Sequence, residues 1–479
     1  MTPIIVWFRQ DLRLADNPAL SEAATTSRPI IPLYILEQDK QQSWSMGAAS
    51  KVWLDRSLRS LRRSCEELGG SLILRQGCSE TVLTDLIRET QATSVYWNRC
   101  YEPAVIDRDT ELKTKLRSRG IEVRSFNAAL LYDPWVLKTK SGTPFKVFTP
   151  FWKTLVSYGQ PQSPCFRPDN TEFAKEVDSD TLENWSLIPK TPDWSKPIRD
   201  AWTPGEKGAQ AQLQRFLDEG LNGYAERRDR PDLPHCSALS PYLHFGEISP
   251  RQIWQATMFK MAVAKDEALI RDCWAFLREV AWREFSYHLL FHYPELPTEP
   301  WNKKFNGFQW NDDQSQLLAW QRGQTGYPFI DAGMRQLWHT GWIHNRVRMV
   351  AASFLTKHLL LHWRKGEQWF WDTLVDADLA NNAASWQWVA GCGFDAAPYF
   401  RIFNPMTQGK RFDPNGEYVR RWVPELSNLP NKYIHAPWEA PAHVLAGAGV
   451  ALGSTYPHPI VDHKAARVRA LDSYAEIRT

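Results

Sequence analysis

Three short runs in the C-terminal half of this sequence combine residue types that can hold or move charge. In FLREVAWREF, residues 276–285, Glu279, Trp282 and Arg283 stand at i, i+3 and i+4 and share one face of a helix. An acid, a large aromatic plate and a cation then converge, while Glu284 points elsewhere, toward another basic group. The plain alternative is a surface ion pair beside a core indole. In HNRVRM, residues 344–349, a helix places Asn345, Arg348 and Met349 on one face and Arg346 roughly 100° away. The two arginines are then spaced for different jobs, one pairing a buried carboxylate and the other a ligand or phosphate; an Arg-Asp pair within a core is the structural alternative. In DADLANN, residues 376–382, Asp376, Asp378 and Asn382 set two carboxylates and an amide at a loop-to-helix transition where Asp378 or a neighbour can cap. Carboxylate pairs suggest acid/base catalysis or Mg²⁺, but no third oxygen ligand is spaced nearby and arginine is the simpler partner, so no metal is expected.

The surroundings sharpen this. Twelve of the 24 tryptophans lie between residues 274 and 388. Each buried indole N–H needs a partner, so dense indoles beside Arg and Asp imply a polar-lined pocket for something large and aromatic, and a redox or light-driven site. Residues 332–366 hold six Lys/Arg, four His and no acid, the pattern of a phosphate-facing surface or of a solvated basic helix face. Cys236-Ser237-Ala238-Leu239-Ser240-Pro241 is a Ser-rich turn that can seat a phosphate on backbone N–H groups and hydroxyls, or simply cap a helix.

The elements that must position these residues follow from periodicity. Apolar, β-branched and aromatic runs at 4–8, 30–36, 72–75 and 94–97 alternate with helical patterns such as 50–68, which predicts an α/β domain with a parallel sheet over residues 1–130. G-x-G-x-x-G is absent after the first strand, so nicotinamide chemistry is disfavoured. Residues 131–204, with SYGQPQSPCFRPDN and LIPKTPDWSKP, read as a long connector. Helical periods then dominate at 208–222, 249–263, 267–292, 313–322, 328–340, 346–362 and 367–375, and the tail ends in a further helix, so residues 205–479 are expected to form an all-α domain.

Bulk composition agrees with 479 residues in two or three domains, 43% of them hydrophobic. No basic leader with an apolar stretch, and no window approaching 18 apolar residues, gives the expectation of a cytoplasmic protein without a membrane span. Seven scattered cysteines without C-x-x-C argue against a disulfide frame or zinc site. A net charge of +3 is too small to imply a nucleic-acid binder by itself.

Together VWFRQDLRLADNPAL, LSPYLHFGEISP, FLREVAWREF, TGYPFIDAGMRQL, GWIHNRVRMVAASFLTK, DADLANNAASWQW and APYFRIFNP resemble the DNA photolyase and cryptochrome family over nearly the whole chain. The wording of the second and sixth is similar to the bacterial class III branch that resembles plant cryptochromes. The resemblance implies FAD in the helical domain, used reduced as FADH⁻, which on blue-light excitation gives one electron to a cyclobutane pyrimidine dimer flipped out of UV-damaged DNA. By motif position it implies flavin contacts at Tyr224, Ser237, Leu239, Ser240, Arg283, Trp342, Arg348, Asp376, Asp378 and Asn382, with Arg348 and Asp376 as an ion pair over the ring system. Asn382 would face flavin N5, where many sensory relatives carry an acid. Glu279 resembles the acid that hydrogen-bonds the dimer. Trp282 and Trp388 would wall the lesion pocket, and Asn345 and Met349 are of the cyclobutane-dimer type, where (6-4) enzymes place histidine.

The resemblance further implies an electron relay of Trp386, Trp363 and surface Trp310, phosphate grips at Arg228, Arg346 and Arg401, and a light-harvesting antenna in the N-terminal domain. Methenyltetrahydrofolate is the antenna expected, with Asn98 and Glu102 as its contacts. Two departures weaken parts of this: Cys236 replaces a Thr common in the phosphate turn, and the lysine and cysteine that flank folate in some relatives have no equivalent in HYPELPTEP. The leading expectation is a monomeric dimer-repairing lyase. The alternatives are a cryptochrome-type blue-light receptor and, less favoured, a light-independent flavoprotein oxidoreductase.

Overall fold

The computed structural model describes residues 1–37, 44–169, 171–396 and 400–478; the first part of APYFRIFNP, residues 397–399, lies outside the described residues. Strands β1 (Ile4–Phe8), β2 (Ile30–Glu37), β3 (Ile73–Gly77), β4 (Ser94–Asn98) and β5 (Glu122–Phe126) form one parallel sheet in the order β3-β2-β1-β4-β5. Every residue of β1 is buried, as expected of an inner parallel strand covered by helices on both faces. Helices α1 (Pro18–Ala24), α2 (Ala48–Glu67), α3 (Ser79–Thr90) and α4 (Pro103–Ser118) make the connections. The edge strand β5, EVRSF, was not expected: it carries three polar residues in five and shows no apolar run.

Residues 131–204 are not a structureless connector. Helix α5 (Phe148–Ser157) buries Phe148, Phe151 and Leu155, and α6 (Lys196–Ala201) follows. Spacings of three and four mark the apolar stripe of α5, in a stretch whose prolines obscured it. It packs on the long helix α11, reached through α7 (Glu206–Arg215), α8 (Tyr224–Arg227), α9 (Ser240–His244) and α10 (Pro250–Ala262); α11 itself runs Glu267–His292. Phe148 stacks on Trp282 with ring centroids 3.6 Å apart and planes 8° from parallel. The Phe145 N–H donates to His288 Nε2 (2.9 Å), so Nδ1 carries the ring proton and faces the Pro134 carbonyl (3.1 Å).

The remaining helices are α12 (Gln314–Gln321), α13 (Pro328–Thr340), α14 (Asn345–Ser353), α15 (Trp363–Thr373), α16 (Leu379–Ala390), α17 (Pro405–Phe412), α18 (Glu417–Trp422), α19 (Ala442–Gly447) and α20 (His463–Glu476). The stretch expected as one helix over 346–362 is α14 followed by a π-turn at Phe354–His358. Helix α15 starts four residues before its expected 367, because the His362 side chain caps it by accepting from the Arg364 N–H (3.2 Å).

Packing divides the chain into one compact unit of residues 1–222, 237–294 and 375–377 and another of 223–236, 295–374 and 378–479. That cut differs from the boundaries expected at 130 and 204, because residues 131–204 and helices through 294 pack with the sheet rather than separate from it. Among the described residues no helix is long and apolar enough to cross a membrane.

Candidate functional site

The first unit positions Glu279, Trp282 and Arg283 on α11. All three are half-buried, and the face they share is the one the helical spacing predicts. Trp282 is fixed by its Phe148 stack, and Arg283 by donating to the Ala129 carbonyl (2.7 Å) and lying 4.8 Å over the Tyr287 ring. Glu284 faces inward and accepts from the Leu131 N–H (2.8 Å); burial pushes its carboxyl up to about 7 against the nearby Arg283 charge. It ties the chain at 131 to α11 and leaves Glu279 as the outward acid of the pair.

The Ser-rich turn is strained. Ala238 adopts φ +51, in the left-handed region that costs a non-glycine residue about 1 kcal/mol. The turn is held by Gln212, whose side-chain amide donates to the Ser237 carbonyl (2.6 Å); Leu239 is buried and Ser240 opens α9. Asp376, which also belongs to this unit, is 7% exposed.

In the second unit Asp378 caps α16, accepting from the Asn381 N–H (2.8 Å) and side-chain amide (2.7 Å). Asn382 donates through Nδ2 to the Glu367 carbonyl (3.0 Å). Its Oδ1 makes no hydrogen bond among the described residues, which leaves an acceptor held in place by the amide's other end. Arg348 donates from Nε to the Ile343 carbonyl (2.7 Å) and lies 5.9 Å over Trp342, so these two expected contacts come together. Tyr224 and Arg228 also meet, guanidinium over ring at 5.6 Å.

Asn345 is exposed on the first turn of α14, with its amide 4.0 Å from Met349 Sδ. Arg346 leaves that face, as expected, and pairs with Asp229 at 2.5 Å. Arg401 lies 5.4 Å over the half-buried Trp388, whose indole donates to the Asp395 carbonyl (3.1 Å). The three tryptophans expected as a relay grade outward: Trp386 and Trp363 are buried and Trp310 is half-buried. His362 lies between the outer two, its ring 5.6 Å from Trp363 and 5.1 Å from Trp310.

Asn98, expected as an antenna contact, is engaged within the protein. It is 2% exposed, and its amide is spent on Asp11 Oδ2 (2.5 Å), Asn17 Oδ1 (2.7 Å) and the Ala19 N–H (3.2 Å). It pins the loop after β1 to the end of β4. Glu102 sits at the start of α4 and accepts from Gln10 (3.0 Å).

Two features escaped sequence reasoning. Glu367, fully buried on α15, has no hydrogen-bond partner for either carboxyl oxygen among the described residues, and burial drives its proton affinity well above the carboxylate range. Its sequence neighbours are polar and aromatic alike, so nothing marked it as inward-facing. The first unit also contains an open cleft of about 460 Å³ lined by Trp152, Lys153, Val156, Trp274, Ala275 and Arg278. Trp152 and Trp274 stand 6.0 Å apart at 76°. The spacing 274–278 was legible as one helix face, but its partner on α5 was not.

Comparison with known proteins matches residues 4–169 to the family model described as DNA photolyase and residues 276–476 to that described as the FAD binding domain of DNA photolyase. The chain is 53% identical to a deoxyribodipyrimidine photo-lyase of Agrobacterium fabrum, over 99% of this chain and 98% of that protein. It is 39% identical to cryptochrome-1 of Arabidopsis thaliana, over 99% of this chain and 70% of that protein. The crystal structure of a bacterial class III photolyase from Agrobacterium tumefaciens superposes with a TM-score of 0.96 at 53% identity, covering 100% of this chain and 98% of that one.

Proposed function

This chain belongs to the DNA photolyase family, and on that premise we propose that it is a lyase that splits cyclobutane pyrimidine dimers in UV-damaged DNA under blue light. One observation carries the reading: Glu279, Trp282, Asn345, Met349 and Trp388 are all present and none of them is fully buried, so packing closes off no member of the set expected to meet a lesion. Bound FAD, in its reduced form, supplies the electron that opens the dimer. The donor set suits that group: Asn382 offers a fixed neutral acceptor through Oδ1, which favours a ring nitrogen that carries a proton, and Arg348 offers a positive charge to an electron-rich ring. Asp378 orients the start of α16, and with it Asn382, through its cap.

Toward the lesion, Glu279 is the acid that hydrogen-bonds the dimer. Trp282 and Trp388 stack against the extruded bases and exclude water. Arg228, Arg346 and Arg401 hold flanking phosphates; Arg346 trades its Asp229 partner for one. Residues 205–479 supply the FAD and lesion contacts, in a monomer.

For the antenna, the cleft between α5 and α11 is a better seat than Asn98. Because the two indoles stand at 76°, one can stack on a flat pteridine while the other meets its edge, and Lys153 and Arg278 can meet glutamate carboxylates, which is the chemistry of methenyltetrahydrofolate. Trp274→Ala is expected to abolish folate retention while flavin content stays normal, read from the near-ultraviolet absorbance of purified protein; retained folate would move the antenna elsewhere.

The function is tested by reducing the flavin, adding an oligothymidine with a single cyclobutane dimer and following thymine absorbance in blue light against a dark control. Light-dependent recovery is expected. No recovery with flavin bound and reduced would favour the receptor reading, to which the cryptochrome similarity also lends weight.

A further inference from the structure

The relay expected of Trp386, Trp363 and Trp310 ends at a half-buried indole, yet aromatic packing does not end there. Phe308 lies 4.4 Å from Trp310. Phe400 lies 6.2 Å beyond Phe308, and Tyr474 stacks on Phe400 at 4.2 Å with planes 4° from parallel. A second path runs from Phe308 to Phe305 (5.6 Å) and on to Tyr474 (6.0 Å). We propose that Tyr474 is the terminal electron donor of the relay, reducing oxidised Trp310 by way of Phe308 and Phe400 and ending as a neutral tyrosyl radical. This rests on the proposed photolyase function and on the tryptophan relay that the family resemblance implies.

Tyr474 is held for such a role. It lies on α20, whose start is fixed by Asp462 capping the Ala465 N–H (2.8 Å) and by a His463–His358 hydrogen bond (2.8 Å). Arg469 ties the same helix to the His358 carbonyl (2.6 Å), and Lys304 ties its end to the Arg478 carbonyl (2.9 Å). The Tyr474 hydroxyl makes no hydrogen bond among the described residues, and the residue is half-buried, so water can take its proton. Lys357 Nζ faces the other side of Phe400, 3.3 Å from the ring centre; burial lowers it to about 7, so a large share of it is uncharged near neutrality and opposes a positive hole less.

The step balances. With FAD bound, its photoreduction would draw one electron through Trp386 and Trp363 and would leave the hole on Trp310 as a radical cation. Tyr474 gives Trp310 one electron and its phenolic proton goes to water, which yields neutral Trp310 and a neutral tyrosyl radical. A soluble thiol then returns a hydrogen atom to the phenoxyl oxygen. Because the proton has left, charge recombination must recover it, and the reduced flavin survives longer.

The test uses the full chain with oxidised flavin, flashed with blue light and examined by electron paramagnetic resonance and transient absorbance. The expected result is a tyrosyl signal that narrows when tyrosine rings are deuterated, is lost in Tyr474→Phe and is replaced there by a tryptophan radical recombining several-fold faster. Phe still stacks on Phe400, so folding is preserved; Phe400→Leu, which breaks the stack but keeps the phenol, is expected to slow tyrosyl formation. A wild-type protein showing only tryptophan radical, or a tyrosyl signal that persists in Tyr474→Phe or in Trp310→Phe, overturns the proposal. If Trp386→Phe photoreduces as wild type does, the relay itself falls and the proposal with it, whereas relay loss in Trp386→Phe without any wild-type tyrosyl signal overturns Tyr474 alone.

Discussion

Trp386→Phe is expected to cut flavin photoreduction by an order of magnitude or more, while repair by chemically reduced protein falls far less. Trp386 is 2% exposed, wedged against Phe370 (centroids 5.0 Å) and Trp320 (6.2 Å), and α15 approaches it so closely that a Cβ at Gly366 would lie 2.1 Å from its ring. The indole is thus fixed within rigid packing, as a first hopping site must be. A benzene ring is much harder to oxidise than an indole, and each ~1.4 kcal/mol added to a barrier costs about tenfold in rate. The smaller ring leaves a void worth about 1–3 kcal/mol of stability. Flavin content and thermal midpoint therefore accompany the measurement, which is the rise of reduced-flavin absorbance under continuous blue light with a thiol present. Normal photoreduction in a protein that retains its flavin would remove Trp386 from the relay.

How far the sequence discloses this molecule depends on whether a residue's partner is near it in the chain. Strands β1, β2 and β4 are continuous apolar runs, and α11 shows its face through Glu279, Trp282 and Arg283; both signals are local, and both agree with the structure. Edge strand β5 carries Glu122, Arg124 and Ser125, and its membership in the sheet is decided by β4, more than twenty residues away. The stripe of α5 was present at 148, 151 and 155 but lay among prolines, and only the Trp282 stack shows what it is for.

The site follows the same rule. The outward position of Asn345 and Met349 and the departure of Arg346 from their face follow from a 100° rotation, but Asp229 as the partner of Arg346 lies 117 positions distant and could not be read. Asn98 shows the same limit from the other side. A polar residue at the end of a parallel strand is placed where ligands bind, yet here Asp11 and Asn17 consume its amide, and no local pattern reports that. Glu367 is visible only as burial without a hydrogen-bond partner among the described residues, a property of packing alone.

Gly246, in the run LSPYLHFGEISP, shows how that packing fixes the loop after β1, and Gly246→Ala is expected to cost about 3 kcal/mol or more of stability. Its φ of +64 is left-handed, and an added Cβ would stand 2.1 Å from the Gln10 carbonyl oxygen and 2.6 Å from Asp11 Cα. These are backbone atoms, so no side-chain rotation relieves the clash. The backbone has little freedom to retreat: Leu12 N–H donates to the Phe245 carbonyl (3.0 Å), and buried Arg13 donates to the carbonyls of Gly246 (2.7 Å), Asp16 (2.6 Å) and Ala128 (2.9 Å). Shifting Gln10 and Asp11 would also disturb their hydrogen bonds to Glu102 and Asn98. Gly120→Ala separates the two causes, since Gly120 has φ +79 with nothing within 4 Å of an added Cβ, and is expected to lose only the conformational cost of about 1 kcal/mol. Urea unfolding of the two variants against wild type decides the matter: equal losses would mean that the loop after β1 yields, and that the apparent clamp at Gly246 contributes little.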